Sequence, residues 1–293
     1  MEPVYHQPVL AQEIITFFQP GPNNIYIDAT LGNGGHTLEL LKHGAKVYGI
    51  DQDPQNLTIA TSRIRANNVS KNFIGINDNF ANLEKIISSN NIKCISGILF
   101  DLGLSSNQLK SATRGFSFND STSLDMRLDP TVQTLTAKEI INTYSAAELF
   151  NIFSKYAQEK YSREIADNIT TVRKSHPFET STQLADYIKE FYRQKHQSVH
   201  LHPATKILMA LRIATNNEYQ NVTTALNSCL KLHQTKIALI TFHSGEDRLV
   251  KQFINQNKQS FSQFSTRPIK PSSSEIRQNH LSRSSLLRTF TLK

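Results

Sequence analysis

The densest run of residues that could do chemistry is the glycine-rich stretch Asp28-Ala-Thr-Leu-Gly-Asn-Gly-Gly-His36, between a predicted strand and a predicted helix. Glycines there let the backbone turn sharply and let a ligand approach closely. The N–H groups that open the following helix favour an anionic group. Asp51 follows at the end of the next predicted strand, where a carboxylate can accept hydrogen bonds from ribose hydroxyls. The pairing predicts a site for an adenosine-containing cofactor.

Such a site could take either a pyrophosphate-containing nucleotide cofactor or S-adenosylmethionine. The stretch lacks the GxGxxG spacing that wraps a pyrophosphate and the lysine of a phosphate loop. S-adenosylmethionine needs neither, because its anionic group is a lone carboxylate. Asp28, Asp51, Phe80 and Asp101 fall at or just after carboxyl ends of predicted strands, where open parallel sheets bind ligands. This location favours a methyltransferase over a dehydrogenase, although Phe80 could belong to the core and His36 could simply cap the helix.

The elements that must position these residues alternate over the first hundred positions. Short apolar runs predict strands at residues 25–30, 46–51, 72–76, 94–101 and, much later, 236–242. Helical periodicity predicts helices at residues 37–43, 54–65 and 80–88. Alternation at this spacing implies a parallel sheet with right-handed crossovers.

The alternation stops near residue 104. Residues 104–130 are rich in Ser, Asn, Asp and Gly and predict an irregular segment. A helical pattern follows, with helices expected at 137–142, 146–173 and 182–196. We therefore expect an α/β fold with two domains: a discontinuous cofactor-binding domain at 1–107 and 215–293, and an inserted, mostly helical domain at 108–214 that recognises the substrate. Residues 255–274 are expected to be loop-rich.

Bulk composition sets further limits. The chain has 293 residues, of which 38% are hydrophobic and 19% charged, as in a soluble globular protein. Because it shows neither a membrane-spanning apolar run nor a signal-peptide pattern, we expect a cytoplasmic protein. Cys94 and Cys229 have no metal-type spacing and are expected to be buried free thiols. His200 and His202 are expected to be loop histidines, so no metal is predicted.

The positive charge is concentrated at one end of the chain. Residues 1–248 hold 24 basic and 23 acidic side chains, whereas residues 249–293 hold eight basic side chains and a single acid, Glu275. A concentrated basic end suits a phosphate-rich partner such as RNA. The alternative is a merely solvated basic tail.

At this point the motifs resemble one family over nearly the whole chain: the bacterial small-subunit rRNA cytosine-N4 methyltransferases, known as the MraW or RsmH family. The motifs are His6-Gln-Pro-Val-Leu10, Asp28 to His36, Gly49-Ile-Asp-Gln-Asp-Pro54, Phe100-Asp-Leu-Gly-Leu-Ser-Ser-Asn-Gln-Leu109, Arg114-Gly-Phe-Ser-Phe118, Leu124-Asp-Met-Arg127, Phe242-His-Ser-Gly-Glu-Asp-Arg248 and Ser282-Arg-Ser-Ser-Leu-Leu-Arg288. Several are long and unusual, so together they are specific.

The resemblance implies a fold, a cofactor and a substrate. The fold is a Rossmann-like class I S-adenosylmethionine-dependent methyltransferase sheet with a helical domain inserted after the fourth strand. The implied cofactor contacts are Gly34, Gly35, His36, Asp51, Phe80, Asp101 and Gln108. The implied substrate is a decoding-region cytidine of 16S rRNA, methylated on N4 within the small ribosomal subunit. The sequence leaves the oligomeric state open, with a homodimer among the alternatives.

The target amine needs a hydrogen-bond acceptor, because the lone pair of cytosine N4 is delocalised into the ring. Asp101 stands in the motif after the fourth strand and is our candidate for that role, with His243 as a second catalytic candidate. Arg114, Arg127 and Arg248 are candidates for binding the RNA. The alternative for His243 and its neighbours is a hydrogen-bonded turn at the strand end. For Arg114 and Arg127 it is pairing with nearby aspartates that orders the loop.

The chain departs from the family pattern at three places. Gly245 replaces a usually bulky residue, the usual Phe-Gln before Ala210-Leu-Arg-Ile213 is lost, and Leu232-His-Gln-Thr235 replaces a Gly-Gly turn. None of these departures touches the cofactor motifs. Two other functions stay open: an amino-methyltransferase acting on another RNA or on DNA, and a non-catalytic RNA-binding assembly factor.

Overall fold

A computed structural model describes residues 7–111, 113–196 and 202–293. This part of the chain divides into two compact units. The first unit joins the described residues up to Ser106 to Tyr219–Lys293, and the second runs from Asn107 to Glu218. The first unit contains two apolar clusters and the second unit a further one.

The first unit is built on one sheet. Its strands, among the described residues, are β1 (Ile25–Asp28), β2 (Lys46–Asp51), β3 (Phe73–Asn77), β4 (Ile95–Asp101), β5 (Lys236–Thr241), β6 (Phe261–Phe264) and β7 (Leu286–Leu292). Their order is β3-β2-β1-β4-β5-β7-β6. Strands β1 to β5 run parallel, and β7 is antiparallel to both β5 and β6. The predicted fold class, a Rossmann-like class I methyltransferase sheet with a helical insertion, is confirmed.

Thirteen α-helices occur among the described residues. They are α1 (Ala11–Phe18), α2 (Gly35–Lys42), α3 (Pro54–Ala66), α4 (Leu83–Ser89), α5 (Ser106–Lys110), α6 (Ala137–Thr143), α7 (Ala146–Ala157), α8 (Ser162–Val172), α9 (Ser181–Gln194), α10 (Thr205–Asn216), α11 (Glu218–Cys229), α12 (Ser244–Gln256) and α13 (Ser273–Gln278). Helices α6 to α10 belong to the second unit.

Strand β4 shows why the central strands are apolar throughout. Ile98 and Phe100 belong to one apolar cluster and Leu99 to another, and all three side chains are fully buried. Successive side chains of a strand point to opposite faces, so both faces of the sheet are covered here. This double burial explains the apolar run at 98–100 and makes Asp101, at the carboxyl end, the first polar side chain after it.

The second unit is held by well-capped helices around its own core. Three helices begin with a capping box: Thr136 with Glu139 for α6, Ser145 with Glu148 for α7, and Thr180 with Gln183 for α9. Such a cap stabilises a helix by about 1 kcal/mol. Buried apolar side chains from the helices of this unit pack together, among them Ile140, Leu149, Phe153, Leu184 and, on α10, Leu211.

The structure corrects three expectations. The continuous helix expected at 146–173 is two helices, because Gln158 adopts a left-handed conformation that ends α7. The loop-rich stretch expected at 255–274 contains β6. The basic end of the chain is no solvated tail, since β7 lies between two strands of the sheet and buries Arg288. No helix of the described residues is long and apolar enough to cross a bilayer.

Candidate cofactor and active site

The glycine-rich loop is held at both ends by Asp28. Its Oδ2 accepts a 2.7 Å hydrogen bond from Oγ1 of Thr37 on α2, and its Oδ1 accepts one from the N–H of Thr30. The carboxyl is fully buried, and burial raises its pKa. Asp28 therefore ties the end of β1 to the start of α2 and shapes the loop between them.

Gly34 is required by both the conformation and the packing of this loop. It is the N-cap of α2 with φ +74°, a left-handed conformation that favours glycine. A Cβ atom here would stand 3.1 Å from Cβ of Ala60 on α3. No side chain of the described residues caps α2. The N–H groups of its first turn can therefore receive an anionic group.

Asp51 closes the loop from the end of β2. Its Oδ2 accepts a 2.7 Å hydrogen bond from the N–H of Gly32, and its Oδ1 accepts a 2.9 Å bond from the N–H of Asp53. The Asn56 side chain donates to Oδ2 at 3.3 Å. Burial raises the pKa of Asp51 to about 7, although the N–H donors work against that shift. The carboxylate is thus fixed in position and costly to ionise.

Phe80 opens a short 3-10 turn, Phe80–Asn82, beyond the end of β3. Its ring meets Phe100 edge-on, with 5.9 Å between ring centroids, and it is only partly buried. The ring therefore rests on the core and keeps an accessible part, and its contact with a cofactor stays a prediction.

Asp101 and His36 meet where β4 ends. Nε2 of His36 lies 3.5 Å from Oδ2 of Asp101, too long for a good hydrogen bond. His36 is buried, whereas the Asp101 side chain keeps 25% of its surface exposed. Burial alone lowers the pKa of His36, but Asp101 and Asp28 outweigh that effect and the pKa is raised. Another molecule can still reach the pair from the Asp101 side.

Three buried polar atoms around the loop have no hydrogen-bond partner in the described part of the chain. They are Oδ1 of Asn33, Nε2 of His36 and Oδ1 of Asp101. Buried polar atoms are nearly always hydrogen-bonded in native proteins, and a missing partner demands an explanation. Two acceptors and one ring nitrogen beside the open N-terminus of α2 fit a ligand that carries both an amino and a carboxylate group. The aminoacyl end of S-adenosylmethionine has this chemistry.

His243 and its neighbours begin α12 after β5, the strand beside β4. Nδ1 of His243 accepts a long, 3.4 Å hydrogen bond from the N–H of Glu246, and Nε2 lies 3.0 Å from Oε1 of that residue. Asp247 forms a two-bond ion pair with the buried Arg288 on β7, at 2.7 and 3.1 Å. Arg248 is exposed. His243 thus caps α12, in agreement with the alternative of a hydrogen-bonded turn at the strand end. Its catalytic role stays a prediction.

The Gly245 departure has a local explanation. A Cβ atom at this position would lie 1.9 Å from the hydroxyl oxygen of Tyr219 and 3.2 Å from Nδ1 of His243. The Tyr219 and His243 rings are stacked, with 6.1 Å between centroids. The tyrosine thus fills the space that a larger residue at 245 would need.

The remaining predicted residues lie in the second unit. Gln108 is buried on α5. Arg114 donates to the carbonyls of Arg127 and Leu128, and Arg127 forms a two-bond ion pair with Asp125. Arg127 is thus paired with an aspartate, as the alternative had it, and Arg114 orders the loop through backbone carbonyls; the contact of either arginine with RNA stays a prediction.

The other sequence expectations have mixed outcomes. Cys229 is buried, and burial raises its pKa, but Cys94 is exposed, so the expectation of two buried thiols is wrong for Cys94. The prediction for His200 lies outside the described residues. The His202 ring stacks on Phe118 at 4.6 Å. No group of three potential metal ligands occurs among the described residues.

Sequence reasoning missed several residues that hold the site. Asn33 carries one of the three buried atoms that have no hydrogen-bond partner, and Asn56 donates a hydrogen bond to Asp51. The Thr30 hydroxyl accepts a 2.6 Å hydrogen bond from the N–H of Asp101. Arg63 donates to the carbonyl of Asn33. Asn33 and Thr30 belong to the glycine-rich run, so their polarity was a usable signal. The other two lie on α3 and are identified only by their contacts.

Comparison with known proteins shows the family to which the chain belongs. The profile of the MraW methylase family matches residues 3–293. A protein of Lachnospira eligens named ribosomal RNA small subunit methyltransferase H is 35% identical over 97% of this chain and 96% of its own length. Proteins of the same name from a Sulfurihydrogenibium species and from Mycoplasma capricolum are each 38% identical, over 97% and 96% of this chain and 98% and 97% of their own lengths. The chain therefore belongs to the MraW methylase family.

Proposed function

We propose that this protein transfers a methyl group from S-adenosylmethionine to RNA of the small ribosomal subunit, on N4 of a decoding-region cytidine in 16S rRNA. Family membership and the shared name of its relatives support an rRNA methyltransferase. The cytidine and its N4 atom come from the sequence resemblance. The observation on which the proposal rests is the group of three unpartnered atoms of Asn33, His36 and Asp101 beside the open start of α2.

The cofactor would be held along the carboxyl edge of β1, β2 and β4. The first turn of α2, at Gly34, Gly35 and His36, would receive its carboxylate. Asp51 would accept hydrogen bonds from the ribose hydroxyls, and Phe80 would flank the adenine. Asp101 and Gln108 complete the proposed set. When bound, the cofactor supplies an electrophilic methyl group on a sulfonium.

The residues of the chain then have to align the target amine and accept its proton. Asp101 keeps 25% of its side-chain surface exposed, so we propose that its carboxylate accepts a hydrogen bond from the amino group. In the reaction the N–C bond forms, the S–C bond breaks and one proton leaves the nitrogen. We propose that this proton passes to the Asp101–His36 pair, whose members lie 3.5 Å apart. From there the proton can pass to solvent, because the Asp101 side chain is partly exposed.

His243 is the second proposed catalytic residue. Its strand, β5, pairs with β4 so that Ile240 lies opposite Asp101. His243 follows three residues later, at the same edge of the sheet. The cap that it forms on α12 fixes its ring, and Tyr219 supports one face. A fixed ring at this place can contact the target base.

Basic residues on both units are proposed to bind the RNA. Arg248 and the cations of residues 249–293, apart from the buried Arg288, give the first unit a positive surface. Arg114 and Arg127 are the proposed contacts in the second unit, which we propose recognises the substrate. Phosphate contacts of this kind make binding weaken steeply with salt.

Mass mapping of methylated nucleosides tests the proposal directly. We expect 16S rRNA from cells lacking this protein to miss N4-methylcytidine in the decoding region, and the wild-type chain to restore it. Asp101→Ala should not restore it, while Cys94→Ala, a matched control on an exposed residue next to β4, should. A methyl group on another nucleoside would redirect the assignment to another substrate. Failure of wild-type protein to bind S-adenosylmethionine in calorimetry would favour the non-catalytic assembly factor.

A further inference from the structure

The first described residues of the chain lie against the cofactor loop. Cβ of Pro8 is only 3.1 Å from the place that a Cβ atom of Gly35 would occupy. Gly35 is the first residue of α2 and belongs to the turn that is proposed to receive the cofactor carboxylate. The backbone of this turn therefore has Pro8 directly against it, and any outward movement of the turn must displace the proline.

The backbone conformation of this segment depends on contacts with other parts of the chain. Leu10 has φ 54°, in the left-handed region that non-glycine residues seldom adopt, and it is the N-cap of α1. Its side chain is fully buried, as is most of Val9. A leucine in this backbone conformation persists only where surrounding contacts enforce it. Something outside residues 7–10 must therefore fix them, and we call these residues the strap.

The contacts that fix the strap come from the opposite end of the sequence. Oε1 of Glu275 accepts a 2.7 Å hydrogen bond from the N–H of Leu10, and Nδ2 of Asn279 donates a 3.1 Å bond to the carbonyl of Gln7. The two side chains are four residues apart, Glu275 on α13 and Asn279 directly after it, so they face the same way. They bind the polar groups on either side of Pro8 and Val9.

Glu275 is also the exception in its surroundings. It is the only acidic residue among residues 249–293, which otherwise carry eight cations. Its carboxylate has a specific partner at the N-terminus of α1, where negative charge is favoured. Asn279 is almost fully buried, as expected of a side chain that serves a backbone carbonyl. The hydrogen bond to the strap therefore explains why an acidic residue occurs at position 275.

We infer that Glu275 and Asn279 are positioning residues of the cofactor site, acting through Pro8 on the turn at Gly35. They do not touch the ligand; they hold the strap against the turn and so keep its N–H groups in place. This inference rests on the proposed cofactor site. It also gives a role to the motif His6-Gln-Pro-Val-Leu10, of which residues 7–10 are described.

The test measures binding of S-adenosylhomocysteine to the full chain by calorimetry. We expect Glu275→Ala to raise its Kd about tenfold, within the range by which a change at one place typically alters binding at another. Glu275→Gln keeps an acceptor oxygen and should have a smaller effect. Gln278→Ala, an exposed neighbour on the same helix, should leave Kd within about twofold. Hydrogen exchange of the Leu10 amide should speed up in Glu275→Ala and not in the control.

A purely structural role would lower the melting temperature and leave cofactor affinity alone, so both are measured where every variant is folded. A double-mutant cycle tests the route through Pro8. If the strap acts on Gly35, Pro8→Gly, which removes the contacting Cβ atom, and Glu275→Ala should be strongly non-additive in Kd. Faster exchange at Leu10 with unchanged Kd would overturn the inference. If Glu275→Ala does not fold, the same decision is made on Glu275→Gln and Pro8→Gly. Absence of binding by the wild type would instead refute the proposed function.

Discussion

Replacing Asp51 by Asn should remove a pH dependence from the stability of the ligand-free protein and weaken cofactor binding. Burial raises the pKa of Asp51 from 3.8 to about 7. The folded state therefore holds a proton that the unfolded chain has lost between these values, and stability falls as pH rises through that window. Between about pH 5 and pH 8 the wild type should lose roughly 2 to 3 kcal/mol that Asp51→Asn keeps.

Cofactor affinity should change in the opposite direction. The ribose hydroxyls need an ionised acceptor, and hydrogen bonds to charged groups contribute about 1.5–3 kcal/mol each. Two such bonds lost in Asp51→Asn imply a Kd for S-adenosylhomocysteine that is roughly a hundredfold higher or more. In the wild type, Kd should rise on acidification below about pH 7, because binding then has to remove a proton.

Urea unfolding followed by circular dichroism gives the stability part, since the chain has no tryptophan to report by fluorescence. Asp53→Asn is the matched control. It keeps an N-cap for α3 but removes a negative charge that helps to raise the pKa of Asp51. Its stability profile should shift to lower pH without losing cofactor affinity. A stability difference between wild type and Asp51→Asn that does not change between pH 5 and pH 8 would refute the burial argument.

Two further predictions concern the region around β5. Gly245→Ala should destabilise the protein by about 1–3 kcal/mol, because its Cβ would lie 1.9 Å from the Tyr219 hydroxyl, and Tyr219→Leu in the same chain should recover part of that loss; equal stability of Gly245→Ala and wild type in urea would contradict the packing. Arg288→Ala should lower the free energy of unfolding by about 3–5 kcal/mol, because it leaves Asp247 without its two-bond partner at a largely buried site. The control Arg283→Ala, at an exposed position nearby, should change the melting temperature little.

The sequence was sufficient for the central strands and for the acids that follow them. Strands β2 and β4 are buried on both faces, so they appear as short apolar runs that end in Asp51 and Asp101. Strand β7 was missed because it carries Arg288, which is tolerable in the interior only through Asp247, 41 residues away. A local pattern cannot show such a partner. The break between α7 and α8 was missed for another reason. It depends on the left-handed backbone conformation of Gln158, which the spacing of apolar residues does not reveal.

The cofactor site divides in the same way. Asp28, Asp51 and Asp101 were predictable because the ends of parallel strands share one edge of the sheet. The missing hydrogen bonds of Asn33 and His36 are properties of three-dimensional packing. The contact of Pro8 with Gly35, and of Glu275 with Leu10, joins residues that are far apart in sequence.

The place of β7 in the sheet bears on the order in which the nascent chain can mature. Strand β5 pairs with β7 on one side, and β6 reaches the sheet only through β7. During translation, β5 and β6 are therefore made before the strand that joins them, and an open sheet edge must wait for it. The helix that carries Glu275 is also synthesised late. The sheet can therefore close between β5 and β6, and Glu275 can bind Leu10, only after the glycine-rich loop and its acids have been made.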